Sequence, residues 1–93
     1  MLYMVIERYH NRHPQPIYRR FREKGRMLPD GLRYVSSWVE DNFDRCFQLM
    51  ECEDPSVFAE WQAHWKDLCD FEVVRVLSSA EAATAALSER ETP

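Results

Sequence analysis

Residues 32–52, LRYVSSWVEDNFDRCFQLMEC, contain two runs of apolar, β-branched and aromatic side chains around a polar connection. The runs 32–40 and 45–52 have the composition of strands, and residues 41–44 (DNFD) have the length of a hairpin loop. The stretch therefore predicts an antiparallel β-hairpin, in which the position of the loop sets the register of the two strands.

Strand-like and helix-like segments flank this hairpin. Residues 2–9 (LYMVIERY) and 70–77 (DFEVVRVL) have strand composition. Residues 16–25 predict an amphipathic helix that begins at a proline and ends at a glycine. Residues 54–68 begin with Asp-Pro and then place apolar side chains at helical spacing. The order β-α-β-β-α-β predicts one ferredoxin-like α+β domain over residues 1–77, with a four-stranded antiparallel sheet and both helices on one face.

Residues 78–93 form a tail rich in Ala, Ser and Glu that lies outside this pattern. Ser78 and Glu81 have the spacing of a helical capping box, so we expect the tail to be a short helix or disordered. A chain of 93 residues leaves no room for a second domain.

The composition also bears on where the chain works. It has no apolar run of the roughly 18 residues that a membrane span needs, and residues 1–7 carry no basic leader or small-residue cleavage site. Its three cysteines, Cys46, Cys52 and Cys69, are odd in number and lack C-x-x-C spacing. We therefore expect a cytoplasmic protein without disulfides and without a membrane partner.

The charge distribution argues against a nucleic-acid partner. Residues 8–33 carry eight Lys and Arg against two acids, a net charge of +6, whereas residues 34–93 carry a net charge of -9. The acidic majority, with a pI near 5.3, would repel phosphates. The aromatic side chains are not interleaved with the arginines, and the two glycines cannot form a phosphate-binding loop.

The predicted register gives the hairpin two apolar faces. A loop at residues 41–44 places Trp38 opposite Phe47 and Tyr34 opposite Glu51. The face expected beneath the helices carries Val35, Val39, Cys46 and Met50. The other face carries Tyr34, Trp38, Phe47 and Leu49. A solvated sheet face alternates toward polar residues, so an apolar one indicates a partner. The simplest partner is a second copy of the sheet in a homodimer, and a register shift by one residue would only exchange the two faces.

Domain of unknown function 3303 is the family that three stretches of the chain resemble: MLYMVIERY (1–9), RFREKGRMLPDGLRYVSSWVE (20–40) and RCFQLMECEDP (45–55). More broadly, a small βαββαβ chain with a two-faced sheet resembles the dimeric α+β barrel superfamily. That resemblance implies sheet-to-sheet dimers with a pocket in each subunit between sheet and helices. The superfamily includes monooxygenases, isomerases, haem proteins and members without known activity, so the fold implies no single function.

Five residues are candidates for a ligand site at the edge of the core. Arg8 and His10 lie at the end of the first strand, Gln48 lies mid-strand, and His64 precedes Trp65 on the second helix. Small-molecule sites are mostly apolar with a few converging polar groups. We therefore expect a small apolar or aromatic molecule to contact Gln48, Trp65 and at least one of the other three.

Two other functions fit the same residues. An amide and a guanidinium group can stabilise an enolate-like oxygen in a dry pocket, as in a cofactor-independent monooxygenase or isomerase. No motif here aligns Trp38, Trp65, Gln48 or Arg8 with those roles, and Trp65 has the spacing of a core residue. A structural interaction domain without a ligand is the remaining alternative.

A metal site and a cysteine nucleophile are both disfavoured by the sequence. His10 and His13 lie three apart on a proline-flanked loop, which lacks the helical spacing of a rigid metal site. They are expected to be solvated, as is His64, and we expect neither metal nor cofactor. Cys46 is expected to be a small buried hydrophobe, because no histidine is fixed beside it by sequence.

Overall fold

Four antiparallel strands form the sheet in a computed structural model that describes the backbone of residues 1–91 and the side chains of residues 1–88. The elements in chain order are β1 (Leu2–Tyr9), a 3-10 turn (His10–Arg12), α1 (Gln15–Lys24), β2 (Arg33–Val39), β3 (Arg45–Glu51), α2 (Val57–Gln62), β4 (Cys69–Val76) and α3 (Ser79–Glu91). The strand order in the sheet is β2-β3-β1-β4. The predicted ferredoxin-like α+β architecture is therefore confirmed, and the structure adds the 3-10 turn and α3.

The hairpin register follows the prediction near the loop and departs from it farther along β2. Trp38 pairs with Phe47, as the loop at residues 41–44 predicts. Tyr34, however, pairs with Met50 rather than Glu51, because a β-bulge between Tyr34 and Ser36 adds one residue to β2. The predicted pairing of Tyr34 with Glu51 is therefore wrong.

The bulge also exchanges two side chains between the faces of the sheet. Tyr34 joins the face of Met50, which is completely buried, and Val35 is 45% exposed instead of contributing to the floor beneath the helices. A bulge re-aims side chains because two residues on one strand oppose a single residue on the other. Tyr34 thus lies on the opposite face from Trp38, although the sequence pattern grouped the two together.

The core fills the space between α1, α2 and the inner face of the sheet, which we define as the face carrying Val5 and Met50. Trp61 is 1% exposed and is the largest fully buried side chain of the described residues. Its ring meets Phe71 edge-on at 5.4 Å between centroids, an arrangement that adds to the benefit of burial. The core therefore rests largely on aromatic side chains.

The second helix is shorter than its apolar spacing predicts. Asp54 Oδ1 accepts a hydrogen bond of 2.9 Å from the Ser56 amide, which starts a turn before the α2 residues. After Gln62 the chain continues in turns, including a bond of 2.9 Å from the Trp65 amide to the Gln62 carbonyl. Trp65 is nevertheless 4% exposed, because successive turns keep it on the side of the core. The predicted helix through Leu68 is therefore wrong in its second half, although its buried face is correct.

The C-terminal helix α3 begins with the predicted capping box. The Glu81 amide donates to Ser78 Oγ, and the Ser78 amide donates to Glu81 Oε1, each at 3.1 Å. All described side chains of α3 are exposed. The division into a domain over residues 1–77 and a tail over residues 78–93 stays a prediction, and residues 92–93 lie outside the described part. None of the helices within the described residues is long and apolar enough to cross a bilayer.

Helices α1 and α2 leave the opposite face of the sheet uncovered, and we call it the outer face. The alternation of β1 and β3 gives this face a row of apolar side chains: Leu2, Met4, Ile6, Phe47 and Leu49. Trp38 on β2 is 55% exposed and Val74 on β4 is 38% exposed. The outer face therefore carries the apolar row that the hairpin pattern predicts, with charged side chains such as Glu72 and Arg45 beside it.

Candidate functional site

A cavity of about 160 Å³ lies between α1 and the inner face of the sheet. Five of the twelve residues that line it are aromatic: Tyr9, Tyr18, Phe21, Trp61 and Trp65. Three polar side chains that can carry or orient charge, Glu7, Arg26 and Gln48, also line it. An apolar enclosure with a few converging polar groups is the usual form of a small-molecule site.

A larger groove, of about 580 Å³, lies on the outside of α1 toward the hairpin loop. It is bordered by Arg19 and Arg22 and by two rings, Tyr18 and Phe43, which are 44% and 50% exposed. None of its lining side chains is buried. The smaller cavity is the better candidate, because only there do buried polar side chains face the space.

The end of α1 and the start of the next segment position one wall of the cavity. Gly25 has a φ of +70°, which lets the chain leave the helix in a conformation that side chains with a Cβ rarely adopt. The carbonyl of the next residue, Arg26, accepts hydrogen bonds from Trp61 Nε1 at 3.0 Å and from Trp65 Nε1 at 3.1 Å. One backbone oxygen thus satisfies both buried indoles and holds this segment over the cavity.

A chain of hydrogen bonds links three polar side chains of the cavity. Arg26 Nε donates to Gln48 Oε1 at 3.3 Å, and Gln48 Nε2 donates to Glu7 Oε1 at 2.5 Å. The amide of Gln48 therefore connects a guanidinium group to a carboxylate and is oriented by both. The guanidinium carbon of Arg26 also lies 3.6 Å from the centre of the Tyr34 ring, a cation–π contact that holds the arginine in place.

Glu7 is a buried carboxyl with few strong donors. Its side chain is 4% exposed, and burial raises its pKa, although the bond from Gln48 and the charge of Arg26 oppose that change. Its second oxygen, Oε2, accepts a hydrogen bond from the Cys69 thiol at 3.7 Å, and the Cys46 thiol is a further donor to the same carboxyl. Thiols are weak donors. A molecule in the cavity that offers an O–H or N–H group would therefore be stabilised at this oxygen.

The thiols of Cys46 and Cys69 and the hydroxyl of Tyr9, all close to this carboxyl, stay neutral. Burial raises the pKa of the Cys46 thiol to about 12, and the negative charge of Glu7 adds to that effect. Burial and Glu7 likewise raise the pKa of Cys69, and burial raises the pKa of Tyr9. A thiol becomes a good nucleophile only as the thiolate, so these two cysteines pack as buried apolar groups. The prediction that Cys46 is a small buried residue is confirmed, since it is 8% exposed.

The structure brings together two of the five predicted ligand residues. Gln48 and Trp65 both line the cavity. Arg8 is exposed, because the alternation of β1 places it on the outer face when Glu7 lies on the inner face. His64 is exposed beyond the buried stripe of α2. His10 lies outside the cavity as well, so the roles suggested for these three residues stay predictions.

His10 instead connects the start of the 3-10 turn to the start of β4. Its Nε2 lies 2.9 Å from Asp70 Oδ1, and its Nδ1 lies 3.1 Å from the Asp67 carbonyl oxygen. The hydrogen bond to Asp70 raises the pKa of His10. Next to it, Arg20 forms a two-pronged ion pair with the carboxylate of Asp67, with both distances 2.8 Å. This cluster fastens α1 to the loop before β4.

The two charged residues of the cavity, Glu7 and Arg26, are absent from the site that the sequence predicts. Glu7 shares the strand phase of Tyr3, Val5 and Tyr9, all buried. A charged residue on the apolar phase of a strand is a signal for a buried, functional carboxyl. For Arg26 the sequence offers no comparable signal, since its place depends on how the chain leaves α1.

Metal-binding groups do not converge in the described part of the chain. No set of three or more His, Cys, Asp or Glu side chains there could hold an ion. The three cysteines are free and buried.

The chain matches one protein family. The family described as "Domain of unknown function (DUF3303)" matches residues 1–89, which includes the sheet, both inner-face helices and most of α3. No curated protein and no solved structure matches the chain significantly.

Proposed function

Because the chain belongs to the DUF3303 family, whose description assigns no activity, we propose a function from the site itself: the domain binds a small aromatic or apolar molecule in the cavity beneath α1. The observation that carries this proposal is the buried pair Glu7–Gln48 facing an aromatic enclosure. A buried carboxyl costs stability unless it is fully hydrogen-bonded, and Glu7 Oε2 receives only a weak donor.

The size and chemistry of the cavity define the ligand class. A space of about 160 Å³ accommodates a compound with one aromatic ring, and Phe21 and Trp65 supply faces and edges for it. The free acceptor capacity of Glu7 favours a ligand that carries an O–H or N–H group on that ring. Phenol is the simplest compound with both properties.

We also propose that the domain works as a homodimer that pairs through the outer face. This is the sheet-to-sheet pairing that its resemblance to the dimeric α+β barrels implies. The outer face carries Trp38, Phe47 and Leu49, which were predicted to lie in the interface, and no inner-face helix covers them. Tyr34, the fourth predicted interface residue, points to the inner face and contacts Arg26. The proposed interface therefore replaces Tyr34 with apolar side chains of β1 and β4.

Phenol and toluene have nearly the same shape, but only phenol carries a hydrogen-bond donor. Phenol is expected to raise the unfolding temperature at concentrations where toluene does not, because its hydroxyl group can donate to Glu7 Oε2. In the Gln48→Ala variant phenol affinity should fall about tenfold, since the carboxylate loses the amide that orients it. Thermal unfolding over a ligand titration measures both effects.

The matched control for this experiment is Gln15→Ala, which removes the same side chain from an exposed position at the start of α1. Phenol should stabilise that variant as it does the natural sequence. If phenol, aniline and toluene all fail to stabilise the natural protein at millimolar concentration, a structural interaction domain without a ligand would be the better description.

A further inference from the structure

We propose that Glu7 is a catalytic residue that moves a proton on the bound molecule, and that the substrate is a one-ring aromatic compound with an acidic C–H group beside a carbonyl. The inference rests on the proposed function, because the substrate must occupy the same cavity. It goes further by assigning a reaction to Glu7, Arg26 and Gln48.

The position of Glu7 suits a proton acceptor. The side chain is 4% exposed and lines the cavity, with Oε1 held by Gln48 and Oε2 left without a strong donor. A carboxylate with an open lone pair, removed from water, is a stronger base than one in solvent. Burial also raises its pKa, and a carboxyl with a raised pKa both accepts and returns protons more readily.

Arg26 supplies the second group that such chemistry needs. Its Nε is committed to Gln48, whereas Nη1 and Nη2 have no hydrogen-bond partner among the described residues. The guanidinium group is held between the rings of Tyr34 and Phe21, at 3.6 and 5.0 Å from their centres. A positive charge fixed at the wall of an aromatic cavity stabilises a developing oxyanion more than it would in water.

These groups allow a balanced proton transfer without a further reactant. The Glu7 carboxylate takes the proton from the carbon beside the carbonyl, and the electron pair of that C–H bond forms a C=C bond as the carbonyl oxygen becomes an enolate. The charge on this oxygen is stabilised by Arg26. The Glu7 carboxylic acid then returns the proton to the same carbon or to the oxygen, so that the keto and enol forms interconvert.

The ionisation of Glu7 should control how the reaction rate depends on pH. The titratable groups that line the cavity or contact Glu7 are Arg26 from the segment after α1, Tyr18 on α1, Tyr9 on β1, Cys46 on β3 and Cys69 on β4. Burial raises the pKa of both thiols and of Tyr9, so these three groups stay neutral. Since the base is the ionised form of Glu7, the rate should rise with pH through the pKa of Glu7 and then level off.

The test is proton exchange of phenylacetone in deuterated buffer, followed by NMR as the CH2 signal between ring and carbonyl disappears. The natural protein should accelerate this exchange over buffer, and Glu7→Gln should lower the protein-dependent rate by at least about 100-fold. Glu60→Gln makes the same chemical change on the exposed side of α2 and should leave the rate unchanged.

Loss of rate in Glu7→Gln must not come from unfolding. A Glu with a raised pKa in the folded state stabilises that state less as pH rises, because the unfolded chain gives up its proton first. Glutamine at this position avoids that cost, so the variant should unfold at a temperature no lower than the natural protein at pH 8. The pH profile of the natural protein provides a second test that requires no variant.

The outcomes separate this inference from the proposed function. If phenylacetone binds, as saturation-transfer NMR would show, but exchanges at the same rate with Glu7→Gln, then Glu7 is a ligand contact and the catalytic inference is overturned. A flat pH profile would overturn it as well. If phenylacetone does not bind whereas phenol does, the substrate class is wrong and the binding function stands.

Discussion

We expect that replacing Trp38 by Asp will make the proposed homodimer dissociate into monomers. Trp38 is 55% exposed on the outer face and pairs with Phe47 on β3. A carboxylate buried in an apolar interface loses its hydration without gaining a partner, which costs several kcal/mol. We expect the dissociation constant of the dimer to rise at least about 100-fold. Sedimentation velocity at protein concentrations of roughly 1–100 μM measures it.

The control is Phe43→Asp, which places the same charge on another exposed ring, in the loop of the hairpin. Phe43 has a φ of +61°, a conformation that Asp tolerates better than most residues, so the loop should keep its shape. This variant should remain dimeric. A natural protein that sediments as a monomer at high micromolar concentration would refute the proposed interface.

Replacing Trp61 by Ala is expected to lower the free energy of unfolding by about 3–5 kcal/mol. The side chain is 1% exposed, its indole N–H donates to the Arg26 carbonyl at 3.0 Å, and its ring packs against Phe71. A domain of this size has a total stability of only about 5–14 kcal/mol, so the variant should be partly unfolded near 37 °C. Urea unfolding at one fixed protein concentration measures the change, since the proposed dimer would add to apparent stability.

Trp61→Phe separates the packing of this residue from its hydrogen bond. Phenylalanine keeps most of the buried area but cannot donate to the Arg26 carbonyl, so we expect a loss of about 1–2 kcal/mol. A loss below about 1 kcal/mol in Trp61→Ala would contradict the assignment of this ring to the centre of the core.

The strands and the first helix are predictable from sequence because their side chains repeat with the period of the element that they form. Residues 2–9 alternate between buried and less buried side chains, as β1 does in the structure. Residues 16–25 place their apolar groups on one face of α1, and Gly25 ends that helix. Periodicity is a local property, and it survives folding wherever one face is buried.

The bulge in β2, in contrast, is not encoded in the periodicity of the local sequence. Residues 34–37 (YVSS) contain no signal for the position of an extra residue in the strand. The bulge depends on contacts distant in sequence, namely the pairing of β2 with β3 and the packing of Tyr34 against Arg26. The prediction therefore placed Tyr34 on the wrong face. The contact between Tyr34 and Arg26 belongs to the wall of the cavity, so the same error hid part of the candidate site.

The candidate site was predictable only in part for a related reason. Gln48 and Trp65 are prominent in sequence, the first as a polar residue in an apolar strand and the second as an aromatic on a helical stripe. Glu7 carries the same signal as Gln48, a polar side chain on a buried strand phase. The neighbouring residue, Arg8, carries a guanidinium group of the kind that often binds ligands, but the alternation of the strand places it on the outer face.

The most direct test of binding beneath α1 is a phenol titration followed through the indole N–H signals of the three tryptophans in a two-dimensional NMR spectrum. Trp61 and Trp65 line the cavity and share one carbonyl acceptor, whereas Trp38 lies on the outer face and serves as an internal reference. We predict that the first two signals shift in a saturable way while that of Trp38 stays constant. Shifts confined to Trp38, or none at saturating phenol, would contradict a ligand site in this cavity.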